Sequence, residues 1–281
     1  MRVLITGGNG NIAKMIHRGL SDEFFIVAPS RNELNVLNFN EIRNFLSKKQ
    51  FDILVHTCIL GGRRTKEENG DVAYTNILMF ENILKFANHF KMIINLDSGA
   101  IYDRKTDILN RKEEDLYTVP IDYYGFSKYV IYNRSLSYLN IFNFRIFNIF
   151  HANEEPTRFI ASCFNAKNNN LTVDIHEDKF FDFMYEEDFL RIVRFYFQNF
   201  ENREVLEKTV NIGYEEKYRL SDIAKMIVQD DSKINIIKST ANNYSGCVDK
   251  LYSYGIQFDG LNKGLQLYKE KILQINTDII I

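Results

Sequence analysis

Through the first 150 residues, short apolar runs alternate with longer segments in which apolar residues recur every three or four positions. The short runs predict strands and the longer amphipathic segments predict helices. The predicted strands are residues 2–6, 24–28, 51–56, 91–96 and 141–147, and the predicted helices there are residues 11–20, 40–48, 75–89 and 123–138. Such alternation builds a parallel sheet with helices on both faces, so we expect an α/β fold with a doubly wound parallel sheet.

The pattern becomes less regular after residue 150. Polar turns are more frequent there, among them three consecutive asparagines at 168–170, although helices are still predicted at 187–199 and 220–229. We therefore expect residues 151–281 to form mainly a smaller lobe, with some segments returning to the first domain.

The composition indicates a water-soluble chain. Its 281 residues are 45% hydrophobic, enough for a substantial core, and its net charge of −2 gives no broad reason to expect nucleic acid or an acidic membrane as partner. No apolar run reaches the roughly 18 residues of a membrane span, so we expect a cytoplasmic protein. Its three cysteines are scattered, which predicts neither a disulfide framework nor a metal site.

A glycine-rich turn follows the first strand. Gly7 and Gly10 allow the backbone to approach a pyrophosphate, and the amides of Asn11 and Ile12 open the next helix, where an anion is favoured. Arg31 follows the second strand, where an arginine suits the 2′-phosphate of NADP and an acidic residue would suit NAD. We therefore expect NADPH as cofactor, the alternative being that Arg31 is only a solvated surface residue.

A tyrosine and a lysine four residues apart supply candidate chemistry. Tyr124 and Lys128 would lie one helical turn apart, and a nearby ammonium makes a phenol a better partner in proton exchange. Ser98, at the end of the fourth predicted strand, could hydrogen-bond the same substrate oxygen. Any one of the three alone would more often be structural, but their order after the glycine turn favours an active site.

These motifs resemble the extended short-chain dehydrogenase/reductases of the NAD-dependent epimerase/dehydratase family that modify nucleotide-sugars. The segment RNELNVLN at residues 31–38 and the paired glycines at 61–62 are most similar to the GDP-L-fucose synthase branch. The resemblance implies an NADP-binding Rossmann domain at residues 1–150, a substrate lobe at 151–281 and a homodimer formed through the helices predicted at 75–89 and 123–138.

The resemblance also implies the site. The expected catalytic residues are Ser98, Tyr124 and Lys128. The expected cofactor contacts are Gly7, Gly10, Asn11, Ile12, Arg31, Asn38, Thr57, Cys58, Leu60, Asn76, Tyr124 and Lys128. The expected substrate contacts are Gly61, Gly62, Ser98, Gly99, Ala100 and Asn148.

The sequence departs from that branch at residues needed for epimerisation. Its members use a cysteine and a histidine to shuttle protons, and we place Ala100 and Asn165 at these positions. A methyl group and an amide do not titrate near neutrality, so we predict reduction without epimerisation, unless His151 or His176 takes over the role. Phe181 stands where the branch has an arginine that helps to hold the nucleotide.

The resulting hypothesis is an NADPH-dependent C4 reductase of a nucleotide-linked 4-keto-6-deoxy sugar, hexose or heptose, in surface-polysaccharide biosynthesis. GDP is the expected nucleotide. A nucleotide-sugar 4-epimerase that retains NAD, and a non-catalytic NADP-binding regulatory or scaffold protein, stay open as alternatives. A 4,6-dehydratase is disfavoured, because the residues after Ser98 offer no acid/base pair.

Overall fold

The structure is a computed structural model that describes residues 1–62 and 67–278. The strands are β1 (Arg2–Thr6), β2 (Phe25–Val27), β3 (Ile53–His56), β4 (Met92–Ser98), β5 (Ile108–Arg111), β6 (Ile141–Ile146), β7 (Ile149–Phe150), β8 (Val173–Ile175), β9 (Met184–Tyr185), β10 (Thr209–Ile212), β11 (Ile234–Ile236) and β12 (Tyr244–Gly246). The α-helices are α1 (Asn11–Leu20), α2 (Phe39–Leu46), α3 (Gly70–Leu84), α4 (Tyr123–Ser135), α5 (Phe159–Asn168), α6 (Glu186–Gln198), α7 (Leu220–Val228), α8 (Asp249–Tyr252) and α9 (Gly260–Asp278).

Six strands form the central sheet, in the order β10, β6, β4, β3, β1, β2. The pairs β1–β2, β1–β3, β3–β4 and β4–β6 are all parallel. Strands β1, β3 and β4 are buried along almost their whole length because a parallel sheet covered by helices is buried on both faces. The predicted α/β fold with a doubly wound parallel sheet is confirmed.

The chain divides into two compact units. The first comprises residues 1–104, 113–146 and 190–211 and holds the central sheet. One side of its core is an apolar cluster in which Leu4, Leu54 and Ile93 from neighbouring strands pack with Phe80 and Ile83 of α3. The segment at 190–211 carries most of α6 and brings in the edge strand β10.

The second unit comprises residues 105–112, 147–189 and 212–281, of which 279–281 lie outside the described residues. It contains three two-stranded parallel pairs, β11–β8, β12–β5 and β7–β9. The segment at 105–112, which contributes β5, was not expected to leave the first domain. That the second unit binds a substrate stays a prediction.

The bounds of individual helices differ from the sequence prediction where capping decides them. The helix predicted at 75–89 is α3, which begins five residues earlier because Asn69 caps it by accepting a hydrogen bond from the Asp71 amide. Its predicted end is instead a separate 3₁₀ turn at Ala87–His89. Among the described residues, no helix is both long and apolar enough to cross a membrane.

Candidate functional site

The glycine turn between β1 and α1 is built for close approach of the backbone. Gly7 has φ +72°, and a Cβ there would lie 2.9 Å from the Sγ of Cys58. A Cβ on Gly8 would lie 1.9 Å from the Ala28 carbonyl oxygen, so only glycine fits beneath β2. Gly10 caps α1 without a side-chain hydrogen bond, and the first turn of α1 holds no acidic residue. The amides of this turn are therefore placed to receive an anion.

The end of β3 lies beside this turn. The Thr57 hydroxyl donates a 2.6 Å hydrogen bond to the Thr6 carbonyl, which ties β3 to β1. Burial raises the pKa of the half-buried Cys58 thiol, a Thr6 hydrogen bond opposes that shift, and the positive charge of Arg31 opposes it further. Arg31 is exposed, and because its charge acts on the Cys58 thiol, the two side chains lie near each other. Gly7, Cys58 and Arg31 thus share one side of the first unit.

Asn38 has a structural use in this geometry. Its side-chain oxygen caps α2 by accepting hydrogen bonds from the amides of Asn40 and Glu41, at 3.0 and 3.3 Å. Its amide nitrogen donates to the Glu41 carboxylate. The expected contact between Asn38 and a cofactor stays a prediction.

Asn76 of α3 anchors the loop that follows β3 through hydrogen bonds. This amide is buried and donates to the Leu60 carbonyl at 2.9 Å, accepts from the Leu60 amide at 2.8 Å and donates to the Ser127 hydroxyl at 3.1 Å. Asn76 therefore positions the loop, and its expected direct contact with a cofactor stays a prediction. Gly61 and Gly62 follow with φ +81° and +84°.

The paired glycines bring the loop to the candidate catalytic tyrosine. A Cβ on Gly62 would lie 2.9 Å from Cε2 and 3.0 Å from Cζ of Tyr124, so the Gly62 backbone packs directly on that ring. A Cβ on Gly61 would meet Val72 and Glu68, and the Glu68 carboxylate accepts a hydrogen bond from the Gly62 amide. Any larger residue at position 62 would displace the ring.

Ser98 is the last residue of β4, as expected. Its hydroxyl is largely buried and accepts a 3.2 Å hydrogen bond from the Ala100 amide, which starts a 3₁₀ turn at Gly99–Tyr102. The Ala100 side chain is buried, and its carbonyl would lie 2.7 Å from a Cβ on Gly125 of α4. The loop that carries Ser98 and the helix that carries Tyr124 are therefore in tight contact.

Tyr124 and Lys128 occupy one face of α4, which Asp122 caps through the Gly125 amide at 2.8 Å. The Lys128 ammonium lies 5.8 Å from the Tyr124 ring centroid and donates a hydrogen bond to the Leu96 carbonyl of β4. Burial lowers the pKa of Lys128 to about 8, while the negative charge of Asp97 opposes that shift. The lysine is thus a desolvated cation next to a half-buried phenol.

Three further side chains contribute to the electrostatics of the site. His56, at the end of β3, is buried against the Thr6 hydroxyl, and burial with the nearby Lys128 charge lowers the pKa of His56 to about 3. Asp97 accepts a 2.8 Å hydrogen bond from Arg145 of β6, and both side chains are fully buried. Burial by itself would lower the pKa of Arg145. The negative charge of Asp97 outweighs this effect, so the pKa of Arg145 is raised.

Arg145 is also held by groups around its guanidinium. It donates to the Tyr102 hydroxyl at 2.6 Å and to the Glu113 carbonyl at 2.8 Å, and its Cζ lies 4.8 Å from the ring centroids of both Tyr102 and Tyr132. One oxygen of Asp97 and one nitrogen of Arg145 are buried without a hydrogen-bond partner. This ion pair forms part of the core directly behind Ser98.

The remaining predicted positions lie in the second unit. Asn148 accepts a 2.7 Å hydrogen bond from Arg158. Asn165 is exposed on α5, where its side-chain oxygen accepts from Asn169. Phe181 packs on Phe183, with their centroids 4.9 Å apart.

Sequence reasoning missed several residues of the site. Gly8 could have been identified from the sequence, because it directly follows Gly7 in the glycine turn. No sequence signal pointed to Asp97 and Arg145, because the register that pairs them across β4 and β6 cannot be predicted from local sequence. Arg104 belongs to none of the motifs identified in the sequence. The described residues hold no group of three or more metal-binding side chains.

Comparisons with known proteins agree with this geometry. A family model described as "NAD dependent epimerase/dehydratase family" matches residues 3–213. No curated protein matches the sequence.

Solved structures match over nearly the whole chain. A GDP-mannoheptose C4 reductase from Campylobacter jejuni with NADP bound is 18% identical, with a TM-score of 0.78 over 96% of this chain and 97% of that one. A dTDP-4-dehydrorhamnose reductase from Bacillus anthracis in complex with NADP is 16% identical, with a TM-score of 0.80 over 96% and 98%. A GDP-D-glycero-L-gluco-heptose synthase from Campylobacter jejuni in the presence of NADPH is 15% identical, with a TM-score of 0.80 over 96% of both chains. At these identities the likeness establishes the fold.

Proposed function

The chain belongs to the NAD dependent epimerase/dehydratase family, and from this premise we propose that it is an NADPH-dependent C4 reductase of a nucleotide-linked 4-keto-6-deoxy sugar. The observation that carries the proposal is the grouping, within the first unit, of a glycine turn shaped for an anion and a tyrosine on the same helix face as a buried lysine. A binding protein without chemistry has no need of a desolvated ammonium 5.8 Å from a tyrosine ring.

The residues present fit a dinucleotide. Gly7, Gly8 and Gly10 leave space that side chains would fill, and α1 presents its amides with no acidic residue in its first turn. Arg31 would meet the 2′-phosphate that distinguishes NADPH from NADH. Two of the similar structures contain bound NADP, which supports the choice of NADPH.

NADPH, when bound, supplies the hydride for reduction of the C4 ketone. Tyr124 donates its phenolic proton to the oxygen at C4 as negative charge develops there. Ser98 donates a hydrogen bond to the same oxygen and so orients the ketone. Lys128 would hold the cofactor ribose, and its positive charge makes proton release from Tyr124 easier. His56 stays neutral at physiological pH because burial holds its pKa at about 3, so it adds no competing charge near Lys128.

The substrate proposal follows from the residues at the two positions where the sequence resemblance places the epimerisation groups. Ala100 is buried and Asn165 carries an amide, so neither provides an acid or base for epimerisation at C3 or C5. We infer GDP as the nucleotide from the sequence resemblance and from the names of the two heptose enzymes with the same fold. Asn148, next to Arg158 in the second unit, would orient the sugar.

We also infer a cytoplasmic homodimer that serves surface-polysaccharide synthesis. Helices α3 and α4 pack together within the first unit, and Tyr74, Tyr123 and Phe126 on them have 67%, 46% and 40% of their surface exposed. Exposed aromatic residues on adjacent helices favour an interface. Light scattering after size-exclusion chromatography measures the mass, and a monomer at micromolar concentration would exclude the dimer.

The decisive experiment supplies GDP-4-keto-6-deoxy-mannose, made in place by a dehydratase in heavy water, and follows NADPH consumption with NMR of the product. We expect consumption without deuterium at C3 or C5. Deuterium at either carbon would show that another residue, such as His151 or His176, epimerises. Purified protein that carries tightly bound NAD and does not consume NADPH would point to a 4-epimerase.

A matched variant separates binding from chemistry. Tyr124→Phe keeps the ring that packs on Gly62 and removes only the hydroxyl. We expect turnover to fall by about 10²- to 10⁴-fold, the usual contribution of a positioned proton donor, with NADPH affinity unchanged. Near-normal turnover in this variant would refute the role of Tyr124.

A further inference from the structure

A second cation lies beside the candidate proton donor. The guanidinium carbon of Arg104 is 5.8 Å from the Tyr124 ring centroid, the same distance as the Lys128 ammonium. Gly62 packs against the ring in addition. Tyr124 is therefore surrounded by a loop backbone and two basic side chains, of which only Lys128 belongs to the recognised motif.

Arg104 is anchored to the start of the tyrosine's own helix. It donates a 2.6 Å hydrogen bond to Oδ1 of Asp122, and the same oxygen accepts the 2.8 Å capping bond from the Gly125 amide. The Arg104 side chain is 22% exposed and that of Asp122 27% exposed, so the pair is partly shielded from water. One carboxylate oxygen thus links Arg104 to the first turn of α4, which carries Tyr124.

Arg104 lies six residues after Ser98 in the chain, beyond a single 3₁₀ turn. After Ser98 the 3₁₀ turn at Gly99–Tyr102 ends at Asp103, a buried residue with φ +66°. This conformation is unfavourable for a residue with a side chain, so it is retained only where the surroundings enforce it. At the same place Gly125 allows α4 to approach the Ala100 carbonyl. Arg104 therefore couples the serine loop to the tyrosine helix.

We propose that Arg104, held by Asp122, is a positioning residue that fixes the Tyr124 ring against Gly62 and supports proton release from its hydroxyl. The inference rests on the proposed role of Tyr124 as proton donor. Arg104 acts through Tyr124 in two ways: it secures the first turn of α4 through Asp122, and it adds positive charge beside the phenol. Without the link to Asp122 the Tyr124 hydroxyl is misplaced, and without the positive charge the phenol is a weaker acid.

The charged groups around Tyr124 set the expected pH dependence. Among the described residues these groups include Lys128 on α4, Arg104 and Asp122 on the adjoining loops, and Glu68 behind Gly62. Reduction needs the protonated phenol, so turnover falls at high pH. Without Arg104 the phenol holds its proton longer, and the midpoint of this fall should move to higher pH by about half a unit to one unit.

The test uses Arg104→Met, which keeps much of the apolar stem, and Asp122→Asn, which keeps a capping side chain but weakens the ion pair. The matched control is Arg134→Met, because Arg134 makes a 2.6 Å pair with Glu81 at the other end of α4. For each variant we would measure kcat, KM for the keto sugar, the NADPH dissociation constant, the melting temperature and the pH profile.

We expect Arg104→Met to lower kcat about 10- to 100-fold, the range for a misplaced reacting group, and to shift the pH profile upward. Asp122→Asn should do the same to a smaller degree, while the NADPH dissociation constant and the Arg134→Met activity stay within about twofold of the native values. A fall in kcat that follows the melting temperature, with an unshifted pH profile, would overturn the proposal. A rise in KM alone would also overturn it, since it would make Arg104 a substrate ligand.

A readout without substrate keeps this test separate from the proposed function. With ¹³C-labelled tyrosine, the Tyr124 ring signal is assigned by its absence in Tyr124→Phe, and its titration is followed in Arg104→Met. A midpoint displaced upward supports the inference even if no keto sugar is reduced, and an unchanged midpoint contradicts it. Failure of the native protein to consume NADPH on any 4-keto sugar, with the displaced midpoint present, would count against the proposed reaction alone.

Discussion

We expect the buried charge of Lys128 to destabilise the folded protein at neutral pH, and this penalty can be measured. Its ammonium is almost fully buried, and burial lowers its pKa from 10.5 to about 8. At about 1.36 kcal/mol for each pKa unit, this difference means that burying the charged lysine destabilises the folded state at pH 7 by about 3 kcal/mol. A group retained at such a penalty is expected to serve chemistry rather than stability.

The sign of the pH dependence follows from the two pKa values. Below pH 8, Lys128 is protonated in both states, and folding carries the whole penalty. Between pH 8 and 10.5 the folded state has released its proton while the unfolded chain keeps it, so the stability of the native protein rises with pH. Lys128→Met removes the titration, and we expect its stability relative to the native protein to decline by about 2 kcal/mol between pH 7 and about 9.5.

The measurement is urea unfolding of the native protein and Lys128→Met at several pH values from 7 to 9.5. The difference between the two proteins is the relevant quantity, because the variant also leaves the Leu96 carbonyl without its donor, a loss that does not depend on pH. Lys48→Met, at an exposed lysine, controls for the substitution itself. A difference that stays constant across this pH range would refute the reasoning, even if turnover is abolished.

Three further perturbations test the site. Gly62 has φ +84° and lies against the Tyr124 ring, so Gly62→Ala should lower turnover at least about tenfold. Gly255→Ala is the control, because Gly255 has φ +67° with nothing within 4 Å, and it should cost only about 1 kcal/mol of stability in thermal unfolding. Equal effects of the two variants on turnover would contradict the packing argument. Arg31→Ala should weaken NADPH binding about 10- to 100-fold more than NADH binding by fluorescence titration, and equal losses would refute the choice of cofactor. Asp97→Asn should destabilise the fold by about 3–5 kcal/mol in urea unfolding, because it leaves the buried Arg145 charge uncompensated. Adding Arg145→Met should restore much of the lost stability. No recovery in the double variant would mean that the pair does not act as a unit.

Local patterns were sufficient to predict the architecture. The strand at Arg2–Thr6 was predicted at its observed bounds, and the other predicted strands differ by a few residues at most, because apolar runs between turns specify buried parallel strands. Gly7 and Gly10 were identified from spacing, and the structure adds the reason, which is a backbone with no room for side chains. The start of α3 was wrong by five residues, because Asn69 and not the apolar pattern determines it.

The chemistry was predictable only where it is local. The spacing of Tyr124 and Lys128 places both on one helix face by itself, since residues four apart in a helix are neighbours. That Lys128 is desolvated could not be predicted, because its burial depends on β4, which lies more than 30 positions away and supplies the Leu96 carbonyl. Asn76 is a similar case, because the hydrogen bonds that join its amide to Leu60 depend on how α3 packs beneath the loop, whereas its expected contact with a cofactor stays a prediction.

The sequence by itself determined the order of strands and helices along the chain, the glycine turn and the tyrosine–lysine pair, because each depends on neighbours within about one turn or one strand. The tertiary structure alone decided which charges are buried and with what they pair. Asp97 meets Arg145 only through the register of β4 and β6, and Arg104 meets Asp122 only because Gly125 lets a loop and a helix touch. Electrostatic interactions act through space and depend on burial, so neither their strength nor their partners can be read from local sequence.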